Sequence, residues 1–323
     1  MKAAVVYAPG QTPQFADFPD PVPSEGELLI SVRAAALAPL TKGRASGAHY
    51  SADNIYPSVV GVDGVGLTLD GRRVYFVTPA APNGAMAEKT VVSPRQCIPL
   101  PDDIDDVTAA AIANPGMSAW AALIERAHLV AGEVVLVNGA TGSAGHMAVQ
   151  IAKHLGASRV IATGRDRAAL EQLRALGADV LIPLDLSLEN PQGSAQFESA
   201  LKQHFAQGIG VVIDYLWGKS AEIIITAIAK AVEDTAPVRF IHVGGASGAD
   251  IVLPGAALRS SSIVLMGSGL KSVPLPRLLA SIKGVFDAYA PAHFTIKTKS
   301  VPLAQVAESW HDPTKTRIVF TIP

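Results

Sequence analysis

Six short apolar runs, at 134–137, 160–163, 180–182, 211–214, 240–243 and 263–266, alternate with segments of helical period. This alternation limits the fold of the chain more than any other feature it carries. Runs apolar throughout are strands covered on both faces, and parallel strands need crossover connections, usually helices. The intervening segments supply them. Ala148, Ile151, Ala152 and Leu155 fall at i, i+3, i+4 and i+7 and are closed by Gly156, and further helical patterns cover 168–176 (closed by Gly177), 195–205 and 220–232. The expected result is a Rossmann-type, doubly wound parallel sheet in an α/β chain.

The residues before about 112 read differently. Short β-type runs at 3–7, 27–34, 62–69, 73–76 and 87–92 are separated by Pro and Gly, as in a small barrel or sandwich. The polar, Gly-rich stretch 41–49 reads as a loop or short helix. Residues 117–127 read as a helix with Trp120 and Leu123 on one face and Pro115 just ahead of it, where a missing N–H does no harm. Residues 275–289 read as a further helix, and the tail 295–323 returns to β-type runs that rejoin the first domain. At about 150 residues per domain, 323 residues make two domains, expected at 1–115 with 271–323 and at 116–270.

Charge and cysteine content narrow the function classes. With 26 basic and 28 acidic residues and no like-charge block, nucleic acid and anionic membrane surfaces are not expected partners. The single cysteine, Cys97, forms no internal disulfide and supplies no thiolate cluster for zinc. The opening apolar run is too short for a signal peptide, so a cytoplasmic protein is expected. The apolar stretches 107–124 and 134–152 are broken by Asn114-Pro115-Gly116 and by three glycines with Asn138, so neither reads as a membrane span.

The most specific motif is the turn after the first of the six strands, Asn138-Gly139-Ala140-Thr141-Gly142-Ser143-Ala144-Gly145. Aligned to G-x-G-x-x-G, it sets Ala140 in the first glycine's place, Gly142 where backbone approaches a pyrophosphate, and Gly145 where helix packs on strand. Such a turn can also be a plain connection. The apolar strand before it and the amphipathic helix after it favour a dinucleotide site, with helix N–H groups aimed at phosphate. The second strand ends in Gly164-Arg165-Asp166. Gly164 takes the position of the acid that holds a ribose 2′-OH in NAD sites, and Arg165 is suited to a 2′-phosphate, so NADPH is the expected cofactor. The alternative is a solvated Arg165 with Asp166 in the acid's role. Val243, Gly244 and Gly245, at the end of the fifth strand, are further expected cofactor contacts.

With these motifs in order, the chain resembles the medium-chain dehydrogenase/reductase superfamily, in particular its zinc-free quinone oxidoreductase (zeta-crystallin-like) branch. The resemblance covers nearly the whole length. It rests on Arg44-Ala45-Ser46-Gly47-Ala48-His49-Tyr50, on Pro57 to Gly66 with Gly61, Asp63 and Gly64, on Asn114-Pro115, on the glycine turn, and on Val301-Pro302-Leu303 followed by Arg317-Ile318-Val319. It implies a GroES-like first domain completed by the tail, cofactor and substrate in the cleft between domains, and Arg317 among the cofactor contacts. Zinc-dependent members carry a Cys in the segment matching Leu37-Ala38-Pro39 and a His in that matching Gly61-Val62-Asp63-Gly64. Here those segments hold Ala38 and Asp63, so no metal site is expected.

Without a Lewis acid, an unactivated alcohol is a poor hydride donor, whereas a quinone or an α,β-unsaturated carbonyl compound spreads the developing charge within itself. The expected activity is therefore NADPH-dependent, zinc-independent quinone or enone reduction. Candidate helpers are Tyr50 as proton donor or stacking surface, Asn114 as a donor to a carbonyl, and Asp63 as an orienting group. Each has a second reading: Tyr50 as a cover at the cleft mouth, Asn114 as a helix cap, Asp63 as an arginine's partner. Three departures from the family stand out. Arg165 and Arg167 replace the family's Lys and Tyr around the adenosine phosphate, Leu184 lies near that Tyr position, and Ala38-Pro39 replaces Asn-Pro. A metal-free alcohol or aldehyde dehydrogenase and a non-catalytic NADPH-binding sensor are the competing readings. The run 263–266, as an edge strand, suits pairing across a two-fold axis into a homodimer.

Overall fold

Alternating side chains build the N-terminal strands. The structure, a computed structural model, describes residues 1–314 and 316–323. β1 (Lys2–Val6) pairs antiparallel with β2 (Gln14–Asp17), and in β3 (Leu28–Ala36) Ile30, Val32 and Ala34 turn inward while Ser31 and Arg33 face out. The polar stretch that follows contains a short helix, α1 (Pro39–Ala45), with proline in its first turn. β4 (Ser58–Val59), β5 (Asp63–Thr68), β6 (Arg73–Val77), β7 (Lys89–Val92) and β8 (Cys97–Pro99) complete this passage.

α2 (Asp106–Trp120) corrects the expectation of a helix that starts after Pro115. The helix runs through Pro115 and continues as a π-helical turn at Ala121–Arg126. An interior proline deletes one hydrogen bond and costs about 3 kcal/mol. Here the fully buried Ala109, Ala110, Ala111, Ile112 and Ala113 anchor the preceding turns, so packing outweighs that cost. The helix Asp106–Arg126 is long and apolar enough to cross a membrane, yet most of it is buried within the protein, as a core helix is.

Strand and helix then alternate: β9 (Val134–Asn138), α3 (Ser143–His154), β10 (Arg159–Gly164), α4 (Arg167–Gln172), β11 (Val180–Pro183), α5 (Gly193–Phe205), β12 (Val211–Asp214), α6 (Gly218–Ala231), β13 (Pro237–His242), α7 (Gly255–Arg259) and β14 (Ser262–Gly267). All six strands are parallel, in the order β11-β10-β9-β12-β13-β14. This is a doubly wound Rossmann-like sheet, whose strand order reverses between β9 and β12, where such sheets bind ligands. Leu136, Ile161, Val212 and Phe240 pack on one face against Phe197, Leu201, Ile224 and Ile228.

The chain returns through α8 (Leu275–Tyr289), β15 (Thr298–Pro302), α9 (Val306–Ser309) and β16 (Arg317–Thr321). β16 lies parallel to β15 and antiparallel to β3, with Val319 opposite Ala36, so the tail does rejoin the first β-rich region. The seven-stranded sheet runs β15-β16-β3-β5-β6-β8 with β7 also on β3, and β2-β1-β4 form a second sheet. Ile30, Val32, Val74, Phe76, Met86, Trp310 and Phe320 share its core. The compact units are Met1–Asn114 with Ile282–Pro323, and Pro115–Ser281. Both junctions fall inside helices, α2 and α8, whose side-chain period runs on without a local sign of the change.

Candidate active site

In the second unit, β9 ends at Asn138 and the chain turns at Gly139, whose φ of +83° and close approach to Leu216 require glycine. The turn is clamped to the neighbouring strand: Gly139 N–H donates to Thr163 Oγ1 at 3.2 Å and Ala140 N–H to the Thr163 carbonyl at 2.8 Å. The two later glycines do different work. A Cβ on Gly142 would meet only the Gly139 oxygen, at 3.8 Å, so this face of the turn is open. A Cβ on Gly145 would stand 2.4 Å from the Gly139 oxygen and 2.6 Å from Ala140 Cα, so only glycine lets α3 lie this close. No side chain caps α3, whose first N–H groups, at Ser143, Ala144 and Gly145, have no intrahelical acceptor. Ala140 is buried, and Thr141, Ser143 and Ala144 are half-buried. These residues fit a pyrophosphate: open backbone, aligned N–H groups and a helix N-terminus.

A buried polar network ties the strand ends beneath this turn. Thr163 Oγ1 donates to Asn138 Oδ1 at 2.6 Å, and Asn138 Nδ2 donates to Asp214 Oδ1 at 2.7 Å and to Ser220 Oγ at 3.0 Å. Asp214 also accepts from the N–H groups of Leu216 and Trp217, both at 3.0 Å. Val243 and Gly244 donate their N–H groups to the Asp214 carbonyl at 2.8 and 3.2 Å, fixing the end of β13 beside β12. Gly245 is exposed.

At the end of β10, Gly164 is buried and Arg165 and Arg167 are exposed. Asp166 accepts from Ala169 N–H at 3.1 Å and caps α4. Its carboxylate thus has a local role, and Gly164 itself carries no acid. Leu184 is buried.

The first unit holds the other candidates. Tyr50 is 57% exposed and its ring lies 4.1 Å from that of His49. His49 Nδ1 accepts from Ser51 N–H at 3.2 Å, and partial burial and the nearby Arg44 lower its pKa. Asn114 is half-buried inside α2, eight residues after its start at Asp106, and so caps no helix. Asp63, Tyr75 and Arg317 form one buried cluster. Tyr75 donates to Asp63 Oδ2 at 2.5 Å, and the charge of Arg317 acts on both. Burial raises the Asp63 carboxyl pKa, against the hydrogen bond from Tyr75 and the Arg317 charge; burial likewise lowers that of Arg317. Asp63 and Arg317 are 3% and 6% exposed, and among the described residues Asp63 Oδ1 and Arg317 Nε and Nη2 are buried without hydrogen-bond partners, so the two interact through charge and not through an ion-pair contact. The same unit has a cavity of roughly 60 Å³ lined by Thr41, Arg44, Asn54, Tyr56 and Thr78, with Thr41 Oγ1 buried and without a hydrogen-bond partner.

Among the described residues, no group of three His, Cys, Asp or Glu side chains could hold a metal ion. Residues 144–272 match the family model described as zinc-binding dehydrogenase. Over 96% of both chains, the sequence is 26% identical to a probable NADPH-dependent quinone reductase of Emericella nidulans. It is 34% identical over 183 residues to a chloroplastic NADPH-dependent alkenal/one oxidoreductase of Arabidopsis thaliana, an alignment of 51% of this chain and 46% of that protein. The chain belongs to the medium-chain dehydrogenase/reductase superfamily, in its quinone oxidoreductase branch. A quinone oxidoreductase of Thermus thermophilus shares the superfamily fold with a TM-score of 0.81 over 100% of both chains, at 24% identity.

For a member of this superfamily, the sequence left two things unread. Asp214, polar at the end of an apolar run, is the hub of the strand-end network, and its position at a strand's carboxyl end was the available signal. Trp217 takes φ +58° and ψ −154° at the start of α6, a conformation nearly confined to glycine. The Asp214 carboxylate holds its N–H, and its ring packs on His242 at 4.3 Å and on Phe240 at 6.2 Å.

Proposed function

We propose that this chain binds NADPH and reduces a quinone or an α,β-unsaturated carbonyl compound without a metal ion. The end of β10 carries this reading. Gly164 presents no carboxylate to a ribose 2′-OH, Asp166 is committed to capping α4, and Arg165 is exposed beside them. A guanidinium there forms charge-assisted bonds with a 2′-phosphate. The Emericella and Arabidopsis relatives, a probable NADPH-dependent quinone reductase and an NADPH-dependent alkenal/one oxidoreductase, support the same cofactor.

NADPH, when bound, supplies the hydride. The N–H groups of Ser143, Ala144 and Gly145 would hold its pyrophosphate, with Gly142, Ala140 and Thr141 forming the turn beside them. Val243, Gly244 and Gly245 bound the site at β13. Tyr50 and Asn114 are donors to the acceptor's carbonyl oxygen, and the acceptor's own conjugation spreads the developing charge, which lessens the need for a Lewis acid. Asp63 and Arg317 are buried inside the first unit, at the starts of β5 and β16, which lie on either side of β3. We assign nucleotide binding to 116–270 and acceptor handling to 1–115 with 271–323, in a cytoplasmic homodimer paired through the edge strand β14. A solution mass of monomer alone at high concentration would remove the dimer.

The deciding experiment follows oxidation of NADPH and NADH by the purified protein against short enones and para-quinones, with and without a chelator. Faster, chelator-insensitive NADPH turnover is expected. Tight NADPH binding with no acceptor-dependent turnover would replace this reading with that of a nucleotide sensor.

A further inference from the structure

Gly164 lacks a side chain for a reason visible across the sheet end. A Cβ placed on it would stand 2.5 Å from Thr141 Cγ2 and 3.2 Å from Thr141 Oγ1, with Leu170 Cδ1 next at 3.4 Å. The branched end of Thr141 therefore fills the space into which any side chain at 164 would emerge. The backbone on both sides is anchored. The turn bearing Thr141 is bonded to Thr163 through Gly139 and Ala140, and the Gly164 carbonyl accepts from Leu184 N–H at 2.9 Å on the other side. The β-branch leaves χ1 few alternatives.

We infer that Thr141 is a specificity-determining residue, which keeps position 164 free of an acidic side chain and so fixes the preference for a 2′-phosphorylated nucleotide. This inference rests on the NADPH reading above and locates the preference in a pair of residues rather than in Gly164 alone. Only the two branch atoms of Thr141 come closer than 3.4 Å to the added Cβ, so alanine at 141 relieves the conflict.

Two measurements test the pair. Thermal unfolding of the nucleotide-free protein compares wild type, Gly164→Ala, Thr141→Ala and the double variant. Gly164→Ala is expected to melt several degrees lower than wild type, and the added Thr141→Ala to recover most of that loss. Additive losses would overturn the contact. Calorimetric Kd values for NADPH and NADH are then taken for wild type, Gly164→Asp and Thr141→Ala/Gly164→Asp. The double variant is expected to bind NADH at least tenfold more tightly than Gly164→Asp does, and NADPH more weakly than wild type does. Equal NADH affinity in the two variants would overturn the inference. A wild type that prefers NADH would instead overturn the NADPH reading, and the melting comparison would still decide whether Thr141 closes position 164. Should Gly164→Asp fail to fold while the double variant folds, the inference is supported; failure of both overturns it.

Discussion

Replacing Tyr75 with phenylalanine removes one hydroxyl from the middle of the Asp63–Tyr75–Arg317 cluster and leaves its ring in place against Phe286, 5.6 Å away edge-on. Among the described residues Asp63 Oδ1 has no hydrogen-bond partner, and the Tyr75 hydroxyl, 2.5 Å from Oδ2, is the side-chain donor to this carboxylate. A hydrogen bond to a charged, buried group contributes about 1.5–3 kcal/mol, and one to a neutral group nearer 1 kcal/mol. At about 2–4 °C per kcal/mol for a unit of this size, a loss of about 1–3 kcal/mol should make Tyr75→Phe melt roughly 2–12 °C below wild type at pH 7, with the upper end for an ionised Asp63. The pH dependence carries a sign. Burial raises the Asp63 carboxyl above its ordinary 3.8 in the folded protein, so its contribution to stability is fully present below 3.8 and is lost as pH rises through the folded value. Tyr75→Phe raises that value further. The deficit of the variant should thus be largest where the carboxylate is ionised and shrink as it becomes protonated. Circular-dichroism melts of both proteins across the acid range test this. A variant within 1 °C of wild type at pH 7, or a deficit that grows toward acid, would refute the account of the cluster.

Gly145→Ala drives a methyl to within 2.4 Å of backbone, so a stability loss of about 1–3 kcal/mol and at least tenfold weaker NADPH binding are expected; calorimetry and a melt check both. Burial pushes the Cys97 thiol up to about 11 from an ordinary 9.0, so alkylation at pH 8 should be on the order of a hundredfold slower in the folded than in the unfolded protein. Mass spectrometry reads the two rates, and equal rates would contradict the burial. Asp20, held by Lys89 and the N-terminal ammonium, is lowered to about 2. Its contribution should persist above 3.8 and fade as pH falls toward 2, and Lys89→Met should return its NMR titration midpoint toward 3.8.

The fold was legible where local pattern and tertiary role coincide. Apolar runs such as Val134 to Val137 and Val211 to Ile213 can only be covered strands, and the glycine spacing of the turn reports backbone approach and helix packing directly. Two-residue or exposed strands, such as Ser58–Val59 and Gln14–Asp17, carry too few side chains to show a period. Pro115 was misread because its cost is local whereas the packing that outweighs it is not. The backbone geometry of the glycine turn was legible, and the surroundings of Asp63 were not, because its hydroxyl donor Tyr75 lies on the next strand and its cationic neighbour Arg317 arrives after the whole second unit. Trp217 breaks the conformational rule that sequence reading relies on, and the network that holds it is visible only in three dimensions.

The seating of β16 against β3 bears on the order in which the chain matures. Ala36 finds its ladder partner, Val319, only after all of Pro115–Ser281 has been synthesised. That intervening unit is contiguous and contains its whole parallel sheet, so during translation it is able to consolidate while the edge of β3 still waits. The waiting edge is a template for wrong pairing, in a segment as apolar as Leu28 to Ala36. Shortening the chain by the few residues of β16 should therefore spare a folded Pro115–Ser281 unit and leave the other as a source of aggregation.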